Sequence, residues 1–201
     1  LPLSALNGLR RDALEALSAQ RTALPQRRRE PYRPGVRYEN QKQPPVFTIS
    51  VRTADQLSAE LLALRPALVY LPADEGLAHP EMVERCQKAG VEAAVLLPRI
   101  CWDSETPALE QALTALADRG VTQALASTLG AARRAMALGF QVRADFGLGV
   151  SNSQGLKELK KLGFVGATAS FELKQAQIRD LSKALPLEFI AYGRLPLMIT
   201  E

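Results

Sequence analysis

The chain has 201 residues, 47% of them apolar and 23% charged, the balance of a globular protein with room for one sizeable core. Its net charge of +4 is uneven: residues 1–42 hold nine Lys/Arg against four Asp/Glu, while the rest hold 16 against 17. No apolar run approaches the roughly 18 residues that cross a bilayer, and no secretory signal opens the chain, so no membrane partner is expected and the expected location is cytoplasmic.

The absence of an initiator methionine points to a chain cut from something longer. The two cysteines, Cys86 and Cys101, do not stand at a metal-ligand spacing, so two free thiols and no metal site are expected. With His79 as the one histidine, this chain does not make a Ser-His-Asp triad or a zinc site of its own.

Residues 4–24 read as a helix capped by Ser4, with Leu6, Leu9, Ala13, Leu14, Leu17 and Leu24 near helical spacing and Pro25 as its stop. Residues 25–45 hold Pro31, Pro34, Pro44, Pro45, Gly35 and the run Arg27-Arg28-Arg29, the chemistry of a connector. Residues 1–45 are therefore read as a helix with a Pro/Arg-rich connector, and 46–201 as the main domain. The basic arm is suited to nucleic acid or to plain solvation.

From residue 46, short β-rich runs alternate with amphipathic helical runs. Strands are expected at 46–51, 67–71, 91–97, 122–127, 140–146, 164–170 and 187–192, with a further one at 197–200. Helices are expected to begin near Ala54, Pro80, Thr106, Thr128, Ser153 and Lys174. Four helix–strand junctions share one form: Gly90-Val91, Gly120-Val121, Gly139-Phe140 and Gly163-Phe164. In each, a glycine ends a helix and an apolar residue starts a strand. Alternating βαβα with mostly apolar strands means a parallel sheet covered by helices, an α/β fold that is a TIM-barrel-like or incomplete (β/α) barrel. The alternative is an open, doubly wound sheet. No Gly-x-Gly-x-x-Gly follows the first strand, which argues against a dinucleotide site.

Ligands bind at the carboxyl ends of the strands in either architecture. That rule selects Arg99, Asp145, Ser170, Glu172, Tyr192, Arg194 and Glu201. Asp145 is the candidate catalytic group, as an acid or base, or else an anchor for backbone N–H groups of the next loop. Arg99 and Arg194 suit phosphate or carboxylate, or a surface ion pair. Asn152 stands at a helix start, as a cap or beside an anion site. Cys101-Trp102 offers a thiol and a stacking surface, or two packed apolar residues.

Three segments carry a resemblance: Ala144-Asp145-Phe146-Gly147-Leu148-Gly149-Val150-Ser151-Asn152-Ser153, then Ala167-Thr168-Ala169-Ser170-Phe171-Glu172-Leu173 with Gln177-Ile178-Arg179-Asp180-Leu181, then Tyr192-Gly193-Arg194-Leu195-Pro196-Leu197-Met198. With the opening Leu6-Asn7-Gly8-Leu9-Arg10-Arg11-Asp12-Ala13-Leu14, they resemble the collagenase-like peptidase family U32, as the carboxyl-terminal portion of a long member. Gly149 departs from the usual Asn and Phe171 from the usual Pro. The resemblance implies one of three roles: part of an RNA-modifying enzyme that hydroxylates bases without oxygen, a true peptidase, or a non-catalytic substrate-binding or scaffold domain. For the first, it implies RNA and the rest of a longer chain as partners, and an iron–sulfur cluster in the full-length protein. Leu195 and Pro196 stand where short members carry a cysteine, so no such cluster is expected in this piece alone. The candidate substrate-binding residues are Arg99, Asn152, Tyr192 and Arg194.

Overall fold

A computed structural model describes residues 2–25, 31, 37–40 and 44–195. They fall into two compact units, residues 1–36 and 37–201. In the first, α1 (Leu3–Thr22) buries none of its residues, and its leucines face solvent. Pro2 takes the N-cap position without a side-chain hydrogen bond, so Ser4 lies inside the helix and does not cap it.

The second unit is a curled half-barrel. Its strands are β1 (Thr48–Ser50), β2 (Leu68–Pro72), β3 (Glu92–Leu96), β4 (Gln123–Ala126), β5 (Gln141–Ala144), β6 (Gly166–Thr168) and β7 (Leu187–Glu188). They lie side by side in chain order and every neighbouring pair is parallel. A doubly wound sheet reverses its strand order at a switch point. This sheet has no reversal, so the structure is an incomplete α/β barrel. The helices between the strands are α2 (Ala59–Ala63), α3 (Ala73–Ala78), α4 (Glu81–Lys88), α5 (Thr106–Asp118), α6 (Leu129–Ala137), α7 (Ser153–Lys161) and α8 (Gln175–Asp180).

The four glycine junctions work as their sequence implies. Gly90, Gly120, Gly139 and Gly163 all have φ between 69° and 93°. The next residue's N–H reaches back to the helix: Val91 to Cys86 O, Val121 to Leu116 O, Phe140 to Ala135 O and Phe164 to Leu159 O, at 2.9–3.1 Å. This Schellman pattern satisfies carbonyls at the helix end and delivers a buried apolar residue to the next strand.

Strand alternation divides the buried side chains between two faces. Val69, Leu71, Val95, Ala124, Ala126, Val142 and Ala144 pack outward against Met82, Leu113, Leu116 and Leu156 of the helices. Leu68, Tyr70, Ala94 and Leu125 form a separate cluster on the concave face.

Further readings need correction. The run 187–192 is a strand only over Leu187–Glu188, and Phe189 and Tyr192 beyond it are exposed. The run 46–51 pairs over Thr48–Ser50. Helix α3 went unforeseen because Gly76 and the flanking prolines Pro72 and Pro80 look like loop chemistry. Gly76 sits there for packing: a Cβ would lie 3.1 Å from Leu116 Cδ2 of α5. The expected strand at 197–200 lies outside the described residues, as does Glu201.

Leu113 of α5 is fully buried between helix layer and sheet. Leu113→Ala is expected to destabilise the protein by about 2–5 kcal/mol, read from urea unfolding midpoints at unchanged slope.

Candidate functional site

The concave face of the half-barrel forms an open trough, and its rim is built by residues just past the strands' carboxyl ends. Asp145 follows β5 and is 7% exposed. Its Oδ1 accepts from Phe146 N at 2.8 Å and its Oδ2 from Ser127 Oγ at 2.6 Å. Both oxygens hold the 3-10 turn Phe146–Leu148 against the end of β4. Gly147 completes that turn, because a Cβ there would lie 2.9 Å from Ser127 Cβ and from Ser127 O.

The turn presents Phe146 at the rim. The Phe171 ring, past β6, meets it edge to face at 5.8 Å between centroids, and Arg99 Cζ, past β3, lies 5.8 Å from the Phe146 centroid. Trp102 is exposed, whereas Cys101 is partly buried against the core; two packed residues were one expectation for that pair. Past β7, Phe189, Tyr192 and Arg194 are exposed and also border the trough. Arg99, Asp145, Tyr192 and Arg194 therefore line one concavity. Asn152 does not border it; its Oδ1 accepts from Gly155 N at 2.9 Å and caps α7.

Sequence reasoning missed the polar group inside the trough. Tyr70 of β2 donates its hydroxyl to the Glu188 carboxylate of β7, 2.9 Å from each oxygen. Arg143 of β5 reaches the same carboxylate, Nη2 to Oε1, at 2.8 Å. In a flat sheet five strand spacings of about 4.8 Å would set β2 and β7 ~24 Å apart, more than these two side chains span. Curling of the sheet brings them together. Burial pushes the Tyr70 phenol well above its ordinary value, and the Glu188 carboxylate adds to the effect, partly offset by Arg143. At the amino-terminal ends of β3 and β4, Gln123 Nε2 donates to Glu92 Oε1 at 2.7 Å. The legible signal for Arg143 is alternation: in β5, Val142 and Ala144 are buried, while Gln141 and Arg143 face the other way.

Among the described residues, no group of three His, Cys, Asp or Glu side chains is placed to hold a metal ion. Cys86 is buried in α4, and that burial raises its thiol pKa, opposite to what a thiolate ligand requires. No helix among the described residues is long and apolar enough to cross a membrane.

The family model described as Peptidase family U32 matches residues 76–200. A solved structure described as "The Structure of the U32 Peptidase Mk0906" is similar in fold: TM-score 0.55, 15% identity, 77% of this chain and 72% of that chain covered. A search of curated proteins finds no match.

The buried phenol predicts a pH effect. Below pH 10, Tyr70 is protonated in both folded and unfolded chains. Above it, the unfolded chain releases the proton and the folded chain retains it, so stability falls by up to about 1.4 kcal/mol per pH unit. Tyr70→Phe is expected to remove this slope. Urea unfolding of both proteins between pH 8.5 and 11 reads the difference, which narrows as pH rises.

Proposed function

The chain belongs to peptidase family U32, and on that premise we propose that its half-barrel is the RNA-binding wall of a base-modifying enzyme. One observation carries the reading: four aromatic side chains gather past the carboxyl ends of β5, β6 and β7, with an arginine on either side of the group. Phe146 with Arg99 above it, Phe171, Phe189, Tyr192 and Arg194 all follow the carboxyl ends of strands. Single-stranded RNA is recognised by this combination, with unpaired bases on aromatic faces and phosphates on cations. The excess positive charge of residues 1–42 adds attraction of the same sign. In this reading residues 1–45 are an arm and 46–201 the binding domain. Asp145 is a positioning residue that holds the Phe146 turn.

The oxygen-independent hydroxylation that the resemblance implies would use an iron–sulfur cluster. The residues of this chain do not fit one: Cys86 is closed inside the helix layer, and Cys101 is a single thiol past β3. A cluster would need cysteines supplied from outside this sequence, and no step is assigned to it.

The peptidase reading has the family's name behind it, and its best group is the Ser127–Asp145 pair. Both side chains are more than nine-tenths buried, and the 146–148 turn packs on Ser127. A peptide carbonyl would have to displace that turn to meet Ser127 Oγ. The protein is therefore expected to leave casein and gelatin intact. Hydrolysis abolished by Ser127→Ala would overturn this reading in favour of the peptidase.

Fluorescence anisotropy with a labelled single-stranded RNA tests the proposal. Binding is expected to weaken as salt rises. Arg99→Ala and Arg194→Ala are each expected to weaken it and to lower the slope of log K against log salt by about 0.7. Absence of salt-dependent binding in the unaltered protein would refute the proposal.

A further inference from the structure

The rim accounts for phosphates and for bases outside the trough, but not for the placement of Arg143. Arg143 stands directly across the ladder from Gly166. A Cβ on Gly166 would lie 2.8 Å from Arg143 Cζ, 2.9 Å from Nη2 and 3.2 Å from Nε. Three guanidinium atoms at nearly equal short distance from one point mean that the plane lies flat on the β6 backbone, at an approach that only glycine permits. The ion pair from Nη2 to Glu188 fixes the plane's rotation, and Tyr70 holds Glu188 from the far side. Nε is covered and has no hydrogen-bond partner. The side chain keeps 17% exposure and borders the trough. With one face of the guanidinium on Gly166, the opposite face turns to the trough.

We infer that this face is a stacking platform for one planar ring of the ligand, an unpaired nucleobase turned into the trough. The inference rests on the RNA reading above and adds the place where a single base is held. Guanidinium planes stack on aromatic rings, and unpaired RNA bases are taken up on them. The surroundings select a ring over a phosphate. Glu188 already neutralises the charge of Arg143, and Leu68, Leu96 and Leu125 make the neighbouring wall apolar. What Arg143 offers is therefore a flat surface and not net charge, a role that lysine does not fill.

Single-stranded RNAs carrying 2-aminopurine at successive positions test this, with fluorescence and anisotropy recorded together. In the unaltered protein, one position is expected to be quenched on binding. Arg143→Lys keeps the ion pair but removes the plane. Gly166→Ala keeps the guanidinium but lifts it with a Cβ. Each is expected to abolish the quench and to weaken binding about tenfold, with the salt slope unchanged. Arg194→Ala is expected to do the reverse, lowering the slope and retaining the quench. If the unaltered protein binds RNA and both folded variants still quench, the platform is overturned and the RNA reading stands. If the unaltered protein binds no RNA, both fall. Thermal unfolding checks each variant; if one does not fold, the other decides alone.

Discussion

The contact on which the half-barrel depends is the Glu188 carboxylate, shared by Tyr70 and Arg143. A row of seven parallel strands joined only to its neighbours has no inherent closure, and twist alone leaves its two edges apart. β7 is two residues long and meets β6 through two register pairs. Its short ladder is reinforced by a side-chain tie that runs across the concave face to β2, five strands away in the sheet. The tie and the curvature are one constraint: without the curl the groups do not meet, and without the groups the last strand is held by little.

Such a tie carries a cost. A carboxylate and a guanidinium taken out of water lose hydration that their attraction only partly offsets, and an apolar substitute would often be as stable. The neighbouring positions Leu68, Ala94 and Leu125 show that apolar side chains fill this face elsewhere. The charged group is retained at the point where a glycine clears space for it, since Gly166 is the residue that lets the guanidinium lie down. Stability alone does not explain that pairing of arginine and glycine, and the proposed platform would use it as a flat, oriented, charge-matched surface.

The fold was legible where local chemistry and tertiary demand agree. A glycine followed by Val or Phe both ends a helix and begins a buried strand, so four junctions could be placed from the residues alone. The reading failed where local preference had no partner to meet. Phe189-Ile190-Ala191-Tyr192 is as strand-prone as any run in the chain, yet pairing stops at Glu188, so hydrophobicity there marks exposed surface. At Gly76 the residue alone gives no helix signal, because its small size serves the approach of Leu116 and not a turn. The rim residues Arg99, Asp145, Tyr192 and Arg194 were within reach because parallel strands point one way. The meeting of Tyr70, Arg143 and Glu188 was not, because alternation places Arg143 on the inner face but only sheet curvature brings β2, β5 and β7 to a common location.

On the proposed RNA reading, the two layers of the trough divide the labour of recognition by physical type. At the rim, Arg99 and Arg194 are exposed to solvent, where charge attracts at distance and is screened by salt. Below it, Arg143 is matched by Glu188, so in that reading it would act through surface contact, which salt screens little. Asp145 links the layers: it bonds Ser127 at the end of β4 and holds the turn that carries Phe146. A change in the trough wall at Ser127 would therefore be felt at the aromatic rim, through one buried carboxylate with both oxygens engaged.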